Sequence, residues 1–220
     1  MKKDLVKAVL FDLDGTLLYT LEDICASVNV PLKNRGLKSI SVEECRKTVG
    51  NGLKNTLKGC FILREYKTSE EDIDLAFFEL QEYYRNNPIK YSKPYDKIID
   101  FLRKIDIPFG ILSNKDDDIV KKISSSIFGD IDFDLTAGAK NGILKPSPDR
   151  ILEFCDEIGI NPNELLYVGD SEVDYKTAMN AKTQIALVSW GYRDKEELLK
   201  FNALSVDTVD QLWRIINGDK

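Results

Sequence analysis

Short runs of β-branched and apolar residues alternate with helical stretches along most of this chain, and that alternation constrains its fold most. The runs predict five buried strands, at residues 6–11, 109–112, 133–136, 165–168 and 185–188. Helical stretches separate them, such as the one that starts near Ile151 and ends at Gly159. Strand-helix alternation of this kind predicts an α/β fold with a doubly wound, Rossmann-like parallel sheet.

The first two predicted strands are far apart in sequence, because a long segment with a purely helical pattern separates residue 11 from Phe109. We interpret this segment as an inserted all-helical cap domain that spans residues 17–88. The core domain then consists of residues 1–16 and 89–220. Because both connections of the insertion leave the core close together, it could act as a hinged lid.

Capping sequences mark two helices of the insertion. Ser41 with Glu44 and Ser69 with Asp72 have the spacing of capping boxes, in which each partner satisfies a backbone N–H of the first helical turn. Asn87 precedes a proline, a pair that predicts the end of the second helix.

Composition excludes several classes of chemistry. The chain has a net charge of −6 and a pI near 4.9, so its field disfavours binding to a nucleic-acid backbone. It contains no histidine, which excludes Ser-His-Asp and Cys-His catalysis as well as histidine-ligated zinc. Proton transfer near neutral pH must therefore use carboxylates, lysine, tyrosine or water.

The cysteines and the hydropathy pattern predict the surroundings of the protein. The four cysteines show no CxxC spacing and lie among apolar helical residues, so we expect reduced core thiols. The chain has no apolar run of 18 residues and no apolar region of signal length near its N-terminus. We therefore expect a cytoplasmic protein without a membrane partner, either a monomer or a homodimer.

Polar residues follow the predicted strands at the ends where an open α/β sheet binds ligands. They occur in four short motifs: Asp12-Leu13-Asp14-Gly15-Thr16, Ser113-Asn114-Lys115, Lys145-Pro146-Ser147-Pro148 and Gly169-Asp170-Ser171-Glu172-Val173-Asp174. Four aspartates gathered at one sheet edge would repel one another unless a cation lay among them, and oxygen-only ligands suit Mg²⁺. A bound Mg²⁺ would also attract an anionic substrate to an acidic protein.

These motifs, in this order and at these strand ends, resemble those of the haloacid dehalogenase superfamily, and the resemblance covers essentially the whole chain. The insertion after the first motif is similar to the helical cap of phosphoglycolate phosphatase-like members. The resemblance implies a Mg²⁺-dependent phosphatase that acts on a small phosphorylated metabolite through an aspartyl-phosphate. An acid at Asp14 separates phosphatases and mutases from the dehalogenases and P-type ATPases of the superfamily.

The resemblance also implies a role for each motif residue. Asp12 would be the nucleophile and Asp14 the general acid and base, with Ser113 and Lys145 contacting the transferring phosphoryl group. The expected Mg²⁺ ligands are the carboxylates of Asp12 and Asp170, the backbone carbonyl of Asp14, and Asp174 acting through water or as a supporting partner. Thr16 and Asn114 are expected to bind substrate. Ser113-Asn114 could equally be an ordinary helix N-cap.

Substrate choice should depend on the cap, since the phosphoryl chemistry of the core is generic. Gly50, Asn51 and Gly52 resemble a turn of phosphoglycolate phosphatase caps whose backbone amides could bind a substrate carboxylate; a plain helix connection explains them equally well. Tyr19 stands where relatives commonly carry aspartate, which weakens a claim that phosphoglycolate is the substrate.

Other functions fit the same sequence. A β-phosphoglucomutase-like mutase would return the phosphoryl group to a sugar, and a pyrophosphatase or nucleotidase would use the same core. A non-catalytic scaffold that binds phosphate or a partner protein is the alternative outside enzymes. The complete set of motif residues argues against the scaffold.

Overall fold

The computed structural model describes residues 5–50 and 52–218, and its contacts divide the chain into two compact units. One unit comprises the chain up to Tyr19 together with the chain from Pro94 onward. The other is Thr20–Lys93. For comparison, the sequence analysis set the insertion at residues 17–88.

A six-stranded parallel sheet forms the centre of the first unit, in the order β5-β4-β1-β6-β7-β8. Two short strands, β2 and β3, pair with each other. The strands are β1 (Ala8–Phe11), β2 (Leu18–Tyr19), β3 (Lys93–Pro94), β4 (Phe109–Asp116), β5 (Leu135–Ala139), β6 (Leu165–Gly169), β7 (Gln184–Val188) and β8 (Leu204–Val206). The central strands β1 and β6 are buried along their whole length, as expected of parallel strands covered on both faces.

Helices connect the strands, and several begin and end where local sequence dictates. The helices are α1 (Leu21–Asn34), α2 (Val42–Arg46), α3 (Leu53–Leu63), α4 (Glu70–Asn86), α5 (Ile98–Leu102), α6 (Asp117–Ile127), α7 (Asp149–Ile158), α8 (Glu172–Ala181), α9 (Lys195–Leu198) and α10 (Val209–Asn217). As predicted, α7 ends at Gly159, which adopts a left-handed conformation with φ of 70°. Ser171 caps α8 by accepting the N–H of Asp174.

The α/β fold class is confirmed, but several details of the strand prediction were wrong. The second strand, β4, continues to Asp116 instead of ending at residue 112. The first strand begins at Ala8 rather than at residue 6. The third begins at Leu135, because the preceding Phe133 packs its ring against Phe109 and Phe128 instead of joining the sheet. The edge strand β8 was missed, since three residues are too few to show a periodic pattern.

The helical unit contains α1 to α4. Ser41 and Glu44 form the complete capping box that the sequence predicts for α2. Ser69 caps α4, which ends at Asn86 as expected, but the Asp72 carboxylate accepts hydrogen bonds from other side chains, with Arg35 Nη2 at 2.7 Å. Arg35 also forms an ion pair with Glu79 on α4. This arginine, which follows the last residue of α1, therefore connects that end of α1 to two positions on α4.

The thiols agree with the prediction of a reduced core, because all four cysteines are free and buried. Three of them belong to the helical unit and one to α7. None of the helices in the described residues is both long and apolar enough to cross a membrane.

Asp23 on α1 holds the last segment of the helical unit. Its carboxylate accepts the backbone N–H groups of Tyr91 and Ser92 at 2.8–3.1 Å and the Ser92 hydroxyl at 2.6 Å. Asp23 is only 2% exposed. If its carboxylate were removed, these donors would lose their hydrogen-bond partner at a position that water reaches poorly.

We therefore expect Asp23→Ala to lower the free energy of unfolding by about 1–3 kcal/mol. The neighbouring Glu22 is exposed on the same helical turn, so Glu22→Ala is the matched control and should change it by less than about 0.5 kcal/mol. Urea denaturation of both variants provides the measurement. Equal effects of the two substitutions would contradict this role of Asp23.

Candidate active site

Asp12 lies directly beyond the carboxyl end of β1, between two neighbouring strands. Its backbone N–H donates to the Val168 carbonyl of β6 at 2.8 Å, which extends the strand pairing by one residue. The side chain is buried, with 7% of the residue exposed. A carboxylate buried to this degree requires a positive partner, because desolvation destabilises its charge.

Lys145 supplies that positive charge. Its Nζ lies 2.8 Å from Asp12 Oδ1 and 2.7 Å from Asp174 Oδ1, and its side chain is 3% exposed. Burial raises the pKa of Asp12 well above its usual range, an effect that the Lys145 ammonium opposes. Burial alone would lower the pKa of Lys145, but Asp12 and Asp174 raise it well above its usual range, so the lysine stays charged.

Asn114 holds the backbone of Lys145 in place. Its Oδ1 accepts the Lys145 N–H at 2.6 Å, and its Nδ2 donates to the Lys145 carbonyl at 3.0 Å. Ser113 and Asn114 lie within β4, and Asp116 occupies the N-cap position of α6, so the alternative of a Ser-Asn helix cap was wrong. The role of Asn114 in substrate binding stays a prediction.

Asp174 stands in the interior of the site and both its oxygens accept hydrogen bonds. Besides Lys145, Oδ1 accepts the Tyr167 hydroxyl at 3.4 Å. Oδ2 accepts the Ser171 hydroxyl at 2.6 Å and the backbone N–H groups of Ser171 and Asp170. This saturation fits a supporting residue that fixes Lys145 better than a direct metal ligand.

Asp170 follows β6, and its carboxylate lies close to the backbone of Gly15 and Tyr192. Its Oδ2 accepts the Tyr192 N–H at 2.7 Å, and a Cβ at Gly15, where φ is 88°, would overlap that same oxygen. Only glycine permits both the backbone conformation and the approach. Burial, with a further contribution from Asp174, raises the pKa of Asp170 to about 7.

Asp14 forms an ion pair with a second lysine, Lys115. Lys115, at the end of β4, places Nζ 2.6 Å from Asp14 Oδ1. The lysine side chain is 1% exposed and the aspartate side chain 20%, so the lysine is buried while its partner is in part accessible to solvent. Lys115 belongs to the second motif, but the sequence analysis assigned it no role.

The donor set of the site suits a divalent cation. Asp12, Asp170 and Asp174 each offer a carboxylate oxygen, and the three oxygens lie within 4.8 Å of one another. All three residues are buried, and an all-oxygen donor set is what hard cations prefer. Like charges at this separation and burial require compensation beyond one lysine, so a bound cation fits the residues present.

The remaining predicted substrate-binding residues fall into two groups. Thr16 is 1% exposed, and its carbonyl accepts the Trp190 indole N–H at 3.1 Å, so it lies in the same unit as the carboxylates. Gly50 and Gly52 both have positive φ, 125° and 83°, as a tight turn requires. Asn51 lies outside the described residues, and the substrate role of these three residues stays a prediction.

Four residues of this arrangement were given no site role by the sequence analysis: Lys115, Tyr167, Ser171 and Tyr192. Ser171 and Lys115 lie inside the motifs, so their position was a usable signal. Tyr167 is a fully buried strand residue, and Tyr192 contributes its backbone N–H, a contact that does not depend on its side chain.

The fold and the site define an α/β enzyme with a cluster of carboxylates at the carboxyl edge of its sheet. A family model described as haloacid dehalogenase-like hydrolase matches residues 9–188, and the chain belongs to this family. The chain is 32% identical over 191 residues to a phosphoglycolate phosphatase of Aquifex aeolicus, a match that covers 85% of this chain and 86% of that protein.

Two further comparisons agree. An N-acetylmuramic acid 6-phosphate phosphatase of Pseudomonas aeruginosa is 28% identical over 201 residues, covering 90% of this chain and 88% of that protein. The crystal structure of a Lactobacillus delbrueckii subsp. bulgaricus protein, provisionally named a phosphoglycolate phosphatase, has a TM-score of 0.88 at 26% identity. That match covers 96% of this chain and 98% of the other. The relatives are phosphatases, and their names differ in substrate.

The raised pKa of Asp170 predicts how stability depends on pH when no metal is bound. Between the unfolded value of about 3.9 and the folded value of about 7, the folded protein holds the extra proton. The contribution of this group to the free energy of unfolding therefore falls as pH rises through that window. In EDTA, Asp170→Asn should become progressively more stable relative to the wild type from about pH 4 to about pH 7.

Urea denaturation of both proteins across this range measures the difference. Asp156→Asn provides the control, because it removes one carboxylate from an exposed position on α7 instead of from the buried cluster. A pH-independent difference for Asp170→Asn would contradict the raised pKa.

Proposed function

We propose that this chain is a Mg²⁺-dependent phosphatase that hydrolyses a small phosphomonoester through an aspartyl-phosphate on Asp12. The observation that carries the proposal is the Asp12 carboxylate, buried at the carboxyl edge of the sheet, 2.8 Å from the Lys145 ammonium and clustered with Asp170 and Asp174. A nucleophile needs to be oriented and partly desolvated, and this one is both.

The reaction proceeds in two balanced steps. In the first, an Asp12 oxygen forms a bond to phosphorus while the ester P–O bond breaks, and Asp14 gives a proton to the leaving oxygen. In the second, water forms a bond to phosphorus and the bond to Asp12 breaks, while Asp14 takes the water proton. Phosphate is released and both carboxyl groups return to their starting forms.

The other residues stabilise charge. Lys145, fixed by Asp174 and by Asn114, offers a positive charge to the phosphoryl oxygens, and the Ser113 hydroxyl offers a hydrogen bond. Mg²⁺, held by Asp12, Asp170 and the Asp14 carbonyl with Asp174 in support, would neutralise charge between the carboxylates and the phosphoryl group.

The names of the relatives suggest a small phosphorylated carboxylic acid or sugar acid as substrate, with phosphoglycolate as the first candidate. Other substrates should be tested as well, because the chain has Tyr19 where relatives commonly carry an acid. The Tyr19 ring packs edge-on against Tyr95 and Tyr192. Phosphate release from glycolate phosphate, p-nitrophenyl phosphate, pyrophosphate and glucose 1-phosphate ranks the candidates. Sugar isomerisation without phosphate release would instead identify a mutase.

We assign substrate choice to the helical unit and place the activity in the cytoplasm. Support for the location comes from the four free thiols, which are typical of a reducing compartment. The acidic charge balance supports a small metabolite rather than a nucleic acid as the partner. Monomer and homodimer both fit the proposal.

Replacement of the nucleophile tests the chemistry. We expect Asp12→Asn to lower kcat on p-nitrophenyl phosphate on the order of 10³-fold or more, because an amide cannot accept the phosphoryl group. Asp156→Asn, with an exposed aspartate on α7, should retain wild-type kcat. Normal turnover by folded Asp12→Asn would mean that another group is the nucleophile.

Removal of the metal tests the cation. Activity should disappear in EDTA and return on addition of Mg²⁺, since the carboxylates and the phosphoryl group would otherwise repel one another. Asp170→Asn should raise the Mg²⁺ concentration for half-maximal activity by about 10-fold or more. Undiminished turnover in EDTA by protein shown to be metal-free would exclude the Mg²⁺ requirement.

A further inference from the structure

The ion pair between Lys115 and Asp14 lies beside the Lys145 cluster and is distinct from it. Lys115 Nζ is 2.6 Å from Asp14 Oδ1, and the lysine side chain is 1% exposed. Burying an ammonium to this extent is costly unless it is paired, so the position of Lys115 is strongly specified by its surroundings.

A β-bulge fixes the backbone of Lys115. Leu112 pairs with Ala137 and Asp116 with Ala139, so three residues of β4 stand opposite the single residue Gly138. A Cβ at Gly138 would overlap the Lys115 carbonyl oxygen. Lys115 also donates its backbone N–H to Ser113 Oγ at 3.2 Å. The bulge thus directs the Lys115 side chain toward Asp14, and the glycine at position 138 leaves space for the Lys115 backbone.

The pair restrains the orientation of Asp14. An ammonium at hydrogen-bond distance from one oxygen limits rotation of the carboxylate. That orientation serves both roles that the proposed function gives Asp14, as the acid in the first step and as the base in the second. The acid role in the first step matters little when the leaving group is a stable anion, such as p-nitrophenolate.

We propose that Lys115 is a positioning residue for the second half-reaction, the hydrolysis of phosphorylated Asp12. It holds Asp14 through Oδ1, so that Oδ2 takes the proton of the attacking water. Water oxygen bonds to phosphorus, the bond to Asp12 breaks, and the proton passes to Asp14. This inference rests on the proposed function. It adds a residue that sets the rate of the second step relative to the first.

Rapid mixing of Lys115→Met with p-nitrophenyl phosphate and Mg²⁺ separates the steps. We expect p-nitrophenolate to appear in a burst at a rate within about 2-fold of the wild type. Breakdown of the phosphorylated enzyme should then be slower by about 10-fold or more, so that acid-quenched protein carries more phosphoryl group. Lys115→Arg, which keeps the charge, should recover part of the breakdown rate.

The control is a lysine–aspartate pair of similar length in an exposed place. Lys195 Nζ lies 2.6 Å from Asp207, with both side chains more than a third exposed, so Lys195→Met should leave both rates unchanged. If Lys115→Met does not fold, judged by its thermal transition, Lys115→Gln takes its place in the same measurement.

Two results would overturn the inference. Equal slowing of both steps would show a general structural role for Lys115, and unchanged rates of both steps would show no role. Failure of the proposed function gives a different result, because it would appear as normal turnover by Asp12→Asn whatever the behaviour of the Lys115 variants.

Discussion

Repulsion among buried carboxylates is the constraint on which the site depends. Asp12, Asp170 and Asp174 are all at most 7% exposed and approach one another closely at the end of two adjacent strands. Ionised carboxylates at such burial would destabilise the fold unless positive charge lay between them. Lys145 meets this requirement in part by contacting two of them, while burial and the neighbouring Asp174 still raise the pKa of Asp170 to about 7.

The sheet topology explains why four motifs that are distant in sequence form one site. Strands β4, β1 and β6 are neighbours, so the residues after them converge at the same edge. Lys145 does not follow a strand of this trio directly; Asn114 at the end of β4 binds its backbone N–H and carbonyl. Asn114 of the second motif thereby fixes Lys145 of the third. Because Gly15 of the first motif has no side chain, Asp170 of the fourth motif can lie close to its backbone.

The sequence predicted the fold class, the central strands and the convergence of Asp12, Asp170 and Asp174 from periodicity and from where strands end. The place of Lys145 in the site was predicted only from the resemblance to the family. The sequence could not predict contacts that arise only on packing. Whether Asp72 caps its own helix or pairs with Arg35 depends on the position of α1, and the role of Lys115 depends on a bulge opposite Gly138. Such choices are made by tertiary neighbours, which local sequence does not specify.

The central claim is that Asp12 carries the phosphoryl group during turnover. A single turnover with radiolabelled phosphomonoester and Mg²⁺, quenched in acid at successive times, tests it most directly. The account predicts a protein-bound label that rises and then decays into phosphate, and that maps to the peptide containing Asp12. Label that passes into phosphate without becoming bound to protein, or that maps to another residue, would contradict it.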